Sequence, residues 1–249
     1  MRYFIGNWKM FGVPKAINIL NKINSFQSKD KNRNKYRVII TPPYTLIETF
    51  AKYFTNKKII IGSQNCYQKE QFSSNTGAVS PYMIRSVGAK CTLIGHSDNR
   101  AEGDTDLMLK AKVKFALKNN LKVIYCIGEN KVQKNNNKTF SVLKKQLTKV
   151  LEKKFDQKKI IVAYEPIWSI GTGKIPNEKD LLKTTKDIKK TLKNIFKSNS
   201  PAVLYGGSVD ESNVEIFSKI KEIDGFLIGG ASKSSKKFID IIKNYYSYR

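Results

Sequence analysis

The chain has 249 residues, with 46 Lys and Arg against 20 Asp and Glu, so its formal net charge at pH 7 is +26. This length can bury a large core without disulfides or metals, and no apolar run approaches the roughly 18 residues of a membrane span. Asn7 and Lys9 interrupt the first apolar stretch too early for a secretory signal. The odd set of Cys66, Cys91 and Cys126 lacks metal-binding spacing. We therefore expect a cytoplasmic protein with reduced thiols, no metal site and no membrane segment.

Eight short apolar or β-branched runs predict eight buried parallel strands. They are YFIGNW from residue 3, RVIITPP from 37, IIIGSQN from 59, CTLIGH from 91, KVIYCIGE from 122, IIVAYEP from 160, AVLYGG from 202 and DGFLIGG from 224. Between them apolar residues recur with helical spacing, as over the ranges 17–23 and 238–245 and at Leu107, Leu109 and Val113. A strand followed by a helix, repeated about eight times, predicts an α/β fold, a single-domain (β/α)8 TIM barrel over residues 1–249. A doubly wound open sheet is the alternative, because alternation alone does not show closure.

Polar residues and glycines follow the predicted strands at their carboxyl ends. A closed barrel brings all of these ends to one face, whereas the cleft of an open sheet would collect only some of them. No GxGxxG turn follows the first strand, which also disfavours a dinucleotide-binding fold. We therefore expect a closed barrel, with these strand-end residues on the face where barrel enzymes build their sites. They are Asn7, Lys9, Asn65, His96, Glu129, Glu165, Gly206, Gly207, Gly229 and Gly230.

The stretch AYEPIWSIGTGK, residues 163–174, joins a carboxylate to a segment rich in small residues. Glu165 has apolar neighbours, which disfavour its charged form and make it a stronger base. The glycines that follow can move and can offer backbone N–H groups to an anion. The pattern indicates a general base beside a mobile lid, although alone it also fits a strand-end glutamate before a flexible loop.

Two glycine pairs follow the last two predicted strands, in LYGGSV at 204–209 and LIGGAS at 227–232. Glycine lets a phosphate approach the backbone closely, and the N-terminus of a following helix adds partial positive charge. The loops after the seventh and eighth strands are a recurrent phosphate site in barrel enzymes. Lys9, in NWK after the first strand, supplies a fixed cation for a phosphorylated or enediolate-forming substrate.

The excess of positive charge leaves several interpretations open. A basic chain can bind nucleic acid, a membrane surface or anionic metabolites. Only six of the basic residues are Arg, the lysines are spread along helical stretches, and no cluster of Arg interleaved with aromatic residues appears. We therefore expect no nucleic-acid partner. Attraction of an anionic substrate, a polyanion partner and a compositional bias of the source genome all remain compatible with the charge.

Together these motifs resemble the triosephosphate isomerase family along essentially the whole chain. The matching stretches are GNWKM in the first strand, TPP from 41, QNCY from 64, VSPYMI from 79, GHS from 95, CIGE from 126, YEPIWSIGTGK from 164, YGGSV from 205 and DGFLIGGAS from 224. The resemblance implies an aldose–ketose isomerase of glycolysis and gluconeogenesis, which interconverts dihydroxyacetone phosphate and D-glyceraldehyde 3-phosphate through an enediolate. It also implies that no metal or organic cofactor takes part.

The resemblance implies four catalytic roles. Glu165 resembles the base that removes a carbon-bound proton, and His96 resembles the electrophile that polarises the carbonyl. Lys9 resembles the cation that stabilises the enediolate, and Asn7 helps to shape the same pocket. A lone histidine at a strand end is more often structural, but enolisation requires a neutral imidazole. A helix that begins at SDNR would favour the neutral ring of His96, as is established for this enzyme family itself.

The resemblance also implies how the substrate phosphate and a second subunit are contacted. The lid would hinge at residues 166–168 and 174–176. Thr76 would reach the site of a neighbouring subunit, so a homodimer is implied. The backbone amides implied to bind the phosphate are those of Gly171, Ser208, Gly229 and Gly230.

Some positions depart from the family's pattern. The residues after His96 are usually Ser-Glu-Arg-Arg, whereas this chain has Ser97, Asp98, Asn99 and Arg100. Asp98 is one methylene shorter than Glu, so we expect a looser contact with Lys9. Asn99 and Ala78 lack charges that the family commonly places near the subunit contact. These departures leave the catalytic groups intact but put the strength of the interface and the turnover rate in doubt.

Two other functions are weighed against the isomerase. A different phosphate-binding barrel enzyme, such as an epimerase or an aldolase, fits the phosphate motifs, but an aldolase needs a buried Lys for a Schiff base. Lys9 is the only candidate, and Glu165 with its lid favours proton abstraction instead. A barrel that has lost catalysis and binds nucleic acid is disfavoured because Lys9, His96 and Glu165 are all present.

Overall fold

The computed structural model describes residues 1–247 and forms a closed barrel of eight parallel strands, arranged in chain order. The strands are β1 (Arg2–Asn7), β2 (Tyr36–Thr41), β3 (Ile59–Ser63), β4 (Cys91–Ile94), β5 (Lys122–Ile127), β6 (Ile160–Tyr164), β7 (Ala202–Tyr205) and β8 (Gly225–Ile228). Tyr3 in β1 pairs with Arg37 in β2 and with Gly225 in β8, which closes the barrel. The predicted (β/α)8 barrel is confirmed and the open sheet is excluded.

Helices connect the strands and surround the barrel. Within residues 1–247 the α-helices are α1 (Ile17–Lys29), α2 (Tyr44–Tyr53), α3 (Pro81–Ser86), α4 (Ser97–Ala101), α5 (Asp106–Lys118), α6 (Lys131–Asn135), α7 (Thr139–Val150), α8 (Glu178–Phe196), α9 (Val214–Ser218) and α10 (Ser235–Ser247). Short 3₁₀ helices add Pro14–Ala16, Gln157–Lys159, Ile167–Ser169 and Gly230–Lys233. Over this described part of the chain, no helix combines the length and the apolar character that crossing a membrane requires.

Both faces of the strands are buried, which explains why they read as nearly continuous apolar runs. Because successive residues of a strand face opposite sides, Ile5 and Ile124 pack inside the barrel, whereas Phe4 and Val123 pack against the helices. The inner layer consists of Ile5, Ile39, Cys91, Leu93, Ile124, Cys126, Ile161, Ala163, Leu204 and Leu227. This packed interior leaves the strand ends as the place for a site.

The predicted elements agree with the structure except at one helical position. Each apolar run overlaps the strand predicted for it, β1 and β2 beginning one residue earlier, and the ranges 17–23 and 238–245 lie in α1 and α10. In α5, Leu109 and Val113 are buried, but Leu107 is 78% exposed. Residues two apart lie on different faces of a helix, so Leu107 cannot share the buried face of Leu109.

Candidate active site

A cavity of about 690 Å³ opens at the carboxyl ends of the strands. Its walls come from β1, β8 and the segments that follow β4, β6, β7 and β8. We call it the active-site cavity. The residues singled out in the sequence that line it are Asn7, Lys9, His96, Glu165, Gly171, Gly206, Gly207, Ser208, Gly229 and Gly230. Closure of the barrel thus places residues from both ends of the chain around one space.

Glu165 directly follows β6 and is 4% exposed. Its backbone N–H donates to the Ile127 carbonyl at 2.7 Å, which continues the sheet pairing one residue past the strand. Burial raises the pKa of its carboxyl above the ordinary 4.5, while His96, Cys126 and Lys9 act in the opposite direction. Within the described chain its Oε2 has no hydrogen-bond partner, so this oxygen is available to accept a proton.

Glycine at position 206 makes room for the Glu165 side chain. A Cβ at Gly206 would lie 2.6 Å from Cγ of Glu165, closer than real Cβ atoms approach other atoms. Gly206, the first glycine of the YGGSV motif, therefore allows the Glu165 carboxylate to occupy its observed position.

His96 caps the N-terminus of α4 and is 4% exposed. Its Nδ1 accepts the backbone N–H of Asp98 at 3.1 Å. An accepting Nδ1 carries no hydrogen, so the neutral ring has its proton on Nε2. Nε2 lies 3.5 Å from Oε1 of Glu165. The helix predicted at SDNR is present, and the imidazole presents an N–H donor beside the carboxylate.

Lys9 has a strained backbone, with φ of 55° in the left-handed region that costs a non-glycine residue roughly 1 to 3 kcal/mol. Asn7 Oδ1 accepts the Lys9 N–H at 3.0 Å, and Gln64 Nε2 donates to the Lys9 carbonyl at 2.8 Å. Gln64 also donates to the Thr41 carbonyl at 2.9 Å. Contacts from β1 and from the end of β3 therefore hold the Lys9 backbone in place.

The ammonium of Lys9 pairs with the Asp98 carboxylate, Nζ to Oδ2, at 3.1 Å. The contact therefore forms with the shorter Asp98 side chain, which lies in the first turn of α4, next to the His96 cap.

The lid, residues 166–176, passes beside the active-site cavity. Gly171 and Gly173 line the cavity with φ of 68° and 74°, a conformation that glycine adopts without strain. The Gly173 N–H donates to Ser208 Oγ at 3.1 Å, and Ser208 Oγ donates to the Ser169 carbonyl at 2.6 Å. The lid is therefore tied to the loop after β7.

Ser169 is a second attachment point of the lid and is completely buried. Its hydroxyl lies 3.0 Å from the Tyr205 hydroxyl, accepts the Ser208 N–H at 3.3 Å, and donates to the Lys174 carbonyl. One hydroxyl thus joins the start of the lid to its end and to β7. In the sequence Ser169 stands out only as one of several small residues. The one feature that could have indicated its role is a hydroxyl between the apolar Trp168 and Ile170.

Gly229 and Gly230 border open space. A Cβ placed on either would meet no atom within 4 Å, so packing does not require glycine at these positions. Gly230 begins the 3₁₀ helix Gly230–Lys233, whose first N–H groups lack intrahelical partners. A bare backbone at the start of a helix, facing a cavity, has the geometry of an anion site.

Two other residues at the carboxyl ends of strands, Asn65 and Glu129, do not line the active-site cavity. Asn65 Oδ1 instead accepts from Lys112 Nζ at 3.1 Å, and Lys112 is paired with the Asp104 carboxylate at 2.6 Å. Glu129 Oε1 accepts from Trp168 Nε1 at 2.9 Å. A strand-end position fixes which face of the barrel a residue occupies, but not which way its side chain turns.

Other groups with functional expectations lie apart from the cavity. Thr76 is exposed in the loop between β3 and α3. Cys66, Cys91 and Cys126 are buried and unbridged. In residues 1–247 no three or more His, Cys, Asp and Glu side chains are grouped so that they could hold a metal ion.

Comparison with known proteins identifies the family. The family model described as triosephosphate isomerase matches residues 2–245. The triosephosphate isomerase of Debaryomyces hansenii is 37% identical over 248 residues, which cover 98% of each protein. The chain belongs to the triosephosphate isomerase family. The triosephosphate isomerase of Thermodesulfovibrio yellowstonii is 33% identical, over 97% of this chain and 98% of that relative.

A solved structure supports the same conclusion from geometry. The crystal structure of triosephosphate isomerase from Bartonella henselae superposes with a TM-score of 0.89 at 29% identity. The match covers 98% of this chain and 99% of that one. The fold of this chain therefore matches that of a solved triosephosphate isomerase over nearly its whole length.

Proposed function

We propose that Glu165, His96, Lys9 and Asn7 carry out the isomerisation in the active-site cavity. As a member of the triosephosphate isomerase family, the chain interconverts dihydroxyacetone phosphate and D-glyceraldehyde 3-phosphate, an aldose–ketose isomerisation of glycolysis. The observation that carries the assignment of residues is the 3.5 Å approach of His96 Nε2 to Glu165 Oε1 inside a buried cavity. It supports a base and a proton donor that act on adjacent atoms of one substrate.

The proposed chemistry moves two protons and needs no cofactor. Glu165 removes a proton from C1 of dihydroxyacetone phosphate, and the C2 carbonyl oxygen gains charge as an enediolate forms. The Nε2–H of His96 polarises that oxygen, and Lys9 stabilises the negative charge. His96 gives its Nε2 proton to O2 and takes the proton of the O1 hydroxyl in return, and the protonated Glu165 then returns its proton to C2, so that C1 becomes the aldehyde carbonyl. A raised pKa of the Glu165 carboxyl makes it a stronger base for the first step.

The substrate phosphate is assigned to the glycine-rich side of the cavity. The proposed donors are the backbone amides of Gly171, Ser208, Gly229 and Gly230. Their support is the open space at Gly229 and Gly230 and the attachment of the lid to Ser208. Closure of the lid over this side would exclude water from the enediolate.

A homodimer and a single cytoplasmic domain over residues 1–249 complete the proposal, with no nucleic-acid or membrane partner. Thr76 of each subunit would reach its neighbour's active-site cavity. An exposed aromatic pair close to Thr76 in the chain supports a contact there: Phe72, in the same loop, is 76% exposed, and its ring lies 5.5 Å from that of Tyr82 in α3. Because Ala78 and Asn99 carry no charge, we expect sedimentation to show a dimer that persists from low to high salt. Dissociation on raising the salt would contradict apolar packing as its basis.

The assigned base is tested by Glu165→Asp in an assay that couples D-glyceraldehyde 3-phosphate to reduction of dihydroxyacetone phosphate. Retracting the carboxylate should lower kcat by about 100-fold or more and change KM far less, because the lost contact matters mainly in the transition state. Glu215→Asp, in α9, is the matched control and should leave both constants unchanged. Full kcat in Glu165→Asp would remove Glu165 from the mechanism.

A further inference from the structure

The lysines that line the active-site cavity differ in their partners. Lys9 Nζ pairs with Asp98 at 3.1 Å, and Lys237 Nζ lies 3.6 Å from the Glu211 carboxylate. Lys233 also lines the cavity, but in the described part of the chain its ammonium group forms no ion pair. Its positive charge is therefore not neutralised by a neighbouring carboxylate and is available to an anionic ligand.

The carboxylates that line the same cavity are engaged elsewhere. Oδ1 of Asp210 accepts the backbone N–H and the hydroxyl of Ser212, at 2.8 and 2.6 Å. Oε1 of Glu165 lies 3.5 Å from Nε2 of His96. Among the described residues neither carboxylate pairs with Lys233, so the cavity keeps an excess of positive charge at this lysine.

The backbone directs the Lys233 side chain to the cavity. Lys233 ends the 3₁₀ helix that begins at Gly230, and residues three apart in such a helix lie one above the other. A Cβ at Gly230 would meet no atom within 4 Å, so this side of the helix faces open space. Lys233 Nζ lies 5.4 Å from the centre of the Phe11 ring, which also lines the cavity. The stem and the ammonium group of Lys233 therefore both lie at the cavity wall.

Buried contacts fix the turn that carries Lys233. The preceding residue, Ser232, is completely buried, and its hydroxyl donates to the Gly229 carbonyl at 2.6 Å. The Ser232 carbonyl accepts the indole N–H of Trp8 at 3.1 Å. Because this backbone is already ordered, only the lysine side chain loses conformational freedom when a ligand binds.

We propose that Lys233 binds the substrate phosphate directly through its ammonium group, as a side-chain ligand beside the backbone amides. The proposal rests on the proposed function, which places the phosphate at the glycine-rich side of this cavity. The donors assigned there are the amides of Gly171, Ser208, Gly229 and Gly230, which carry no net charge. A phosphate monoester carries nearly two negative charges at neutral pH, and a lysine ammonium supplies a positive charge with three donors.

Two probes that differ by one charge test the contact. Glycerol 3-phosphate has about the size of the substrate but no carbonyl group, so it binds without reacting. Glycerol 3-sulfate has the same skeleton and one negative charge instead of two. Their dissociation constants are measured by isothermal titration calorimetry with the full chain at low salt and about pH 8, where the phosphate is a dianion.

The Lys233 charge is removed and then restored by substitution. Lys233→Met should weaken binding of glycerol 3-phosphate about tenfold and that of glycerol 3-sulfate about threefold, because the energy between two charges scales with their product. Lys233→Arg retains the charge and should stay within about threefold of the unaltered protein for both probes. Lys236→Met is the matched control, since Lys236 pairs with Asp240 at 2.8 Å and does not line the cavity. It removes the same charge and should leave binding of both probes unchanged.

The possible failures are distinguishable. Unchanged binding of glycerol 3-phosphate by Lys233→Met would overturn the proposal and leave the placement of the phosphate intact. An equal loss for both probes would show that Lys233 acts through its packing on Phe11, and would also overturn the proposal. If the unaltered protein does not bind glycerol 3-phosphate, the placement of the phosphate in the proposed function fails, and the role of Lys233 fails with it.

Discussion

The two walls of the active-site cavity are held by different kinds of contact. On the catalytic wall, formed by Asn7, Lys9 and His96, side chains bond to backbone groups at the ends of β1 and α4. On the lid wall, the hydroxyls of Ser169 and Ser208 hold a segment that contains two glycines with positive φ. Strand ends offer fixed partners, whereas a loop held by a few hydroxyls can exchange them. The difference indicates that charge stabilisation is preorganised and that access is regulated by movement.

Deleting part of the lid is the strongest test of the difference between the catalytic wall and the lid wall. Deletion of residues 170–173 should lower kcat by about 100-fold or more and increase the methylglyoxal formed per turnover, because the exposed enediolate would lose phosphate before it is reprotonated. The catalytic wall should still form the enediolate. Methylglyoxal and isomerised product are measured from the same reaction, and an unchanged ratio would count against a protective lid.

Gln64→Leu tests the rigidity of the catalytic wall. The change leaves the Lys9 and Thr41 carbonyls without their shared donor and frees the strained Lys9 backbone. We expect about a tenfold loss of kcat and about 2 kcal/mol less stability toward urea. Gln71→Leu, at an exposed position, is the control. Normal kcat in a destabilised Gln64→Leu protein would show that Lys9 does not depend on this support.

Glu165→Gln should make the protein more stable at neutral pH. Burial raises the pKa of the folded Glu165 carboxyl above 4.5. Below the pKa of the unfolded state the carboxyl is protonated in both states and does not lower the free energy of unfolding. As the pH rises through the raised pKa of the folded state, the buried carboxylate becomes charged and the free energy of unfolding falls. The variant should therefore gain about 1 kcal/mol over the unaltered protein at about pH 8 and almost nothing at about pH 4. Urea unfolding at both pH values measures this, and a gain independent of pH would have another cause.

Ser169→Ala is the mildest test of the lid wall. The change removes one hydroxyl that joins Tyr205, Ser208 and Lys174, yet leaves the Ser208 contact with Gly173. We expect about a threefold decrease in kcat, or about a threefold increase in KM if the open lid binds substrate poorly. Glu165 should remain the base. Ser25→Ala, at an exposed position in α1, is the matched control. An effect as large as that of the lid deletion would mean that the hydroxyl, rather than the lid, is essential.

The sequence predicts the strands, and it singles out the proposed catalytic groups, because both depend on local order. Each apolar run becomes a strand, and closure of the barrel places His96 and Glu165 at one face. The supporting contacts were missed because they join distant segments: Gln64 reaches Lys9 from another strand, and Ser169 meets Tyr205 across the lid. Such contacts depend on side-chain direction, which also explains why Glu129 turns away from the active-site cavity.

Closure of the barrel has a consequence for how the chain avoids aggregation. Every strand in residues 1–247 has a neighbour on each side, so the finished sheet exposes no edge that another chain can extend. The last pairing joins Tyr3 to Gly225, near opposite ends of the chain. While the protein is being synthesised, β1 must therefore wait with one edge open until β8 has emerged. That interval, rather than the native state, is when this chain is most exposed to association through its strands.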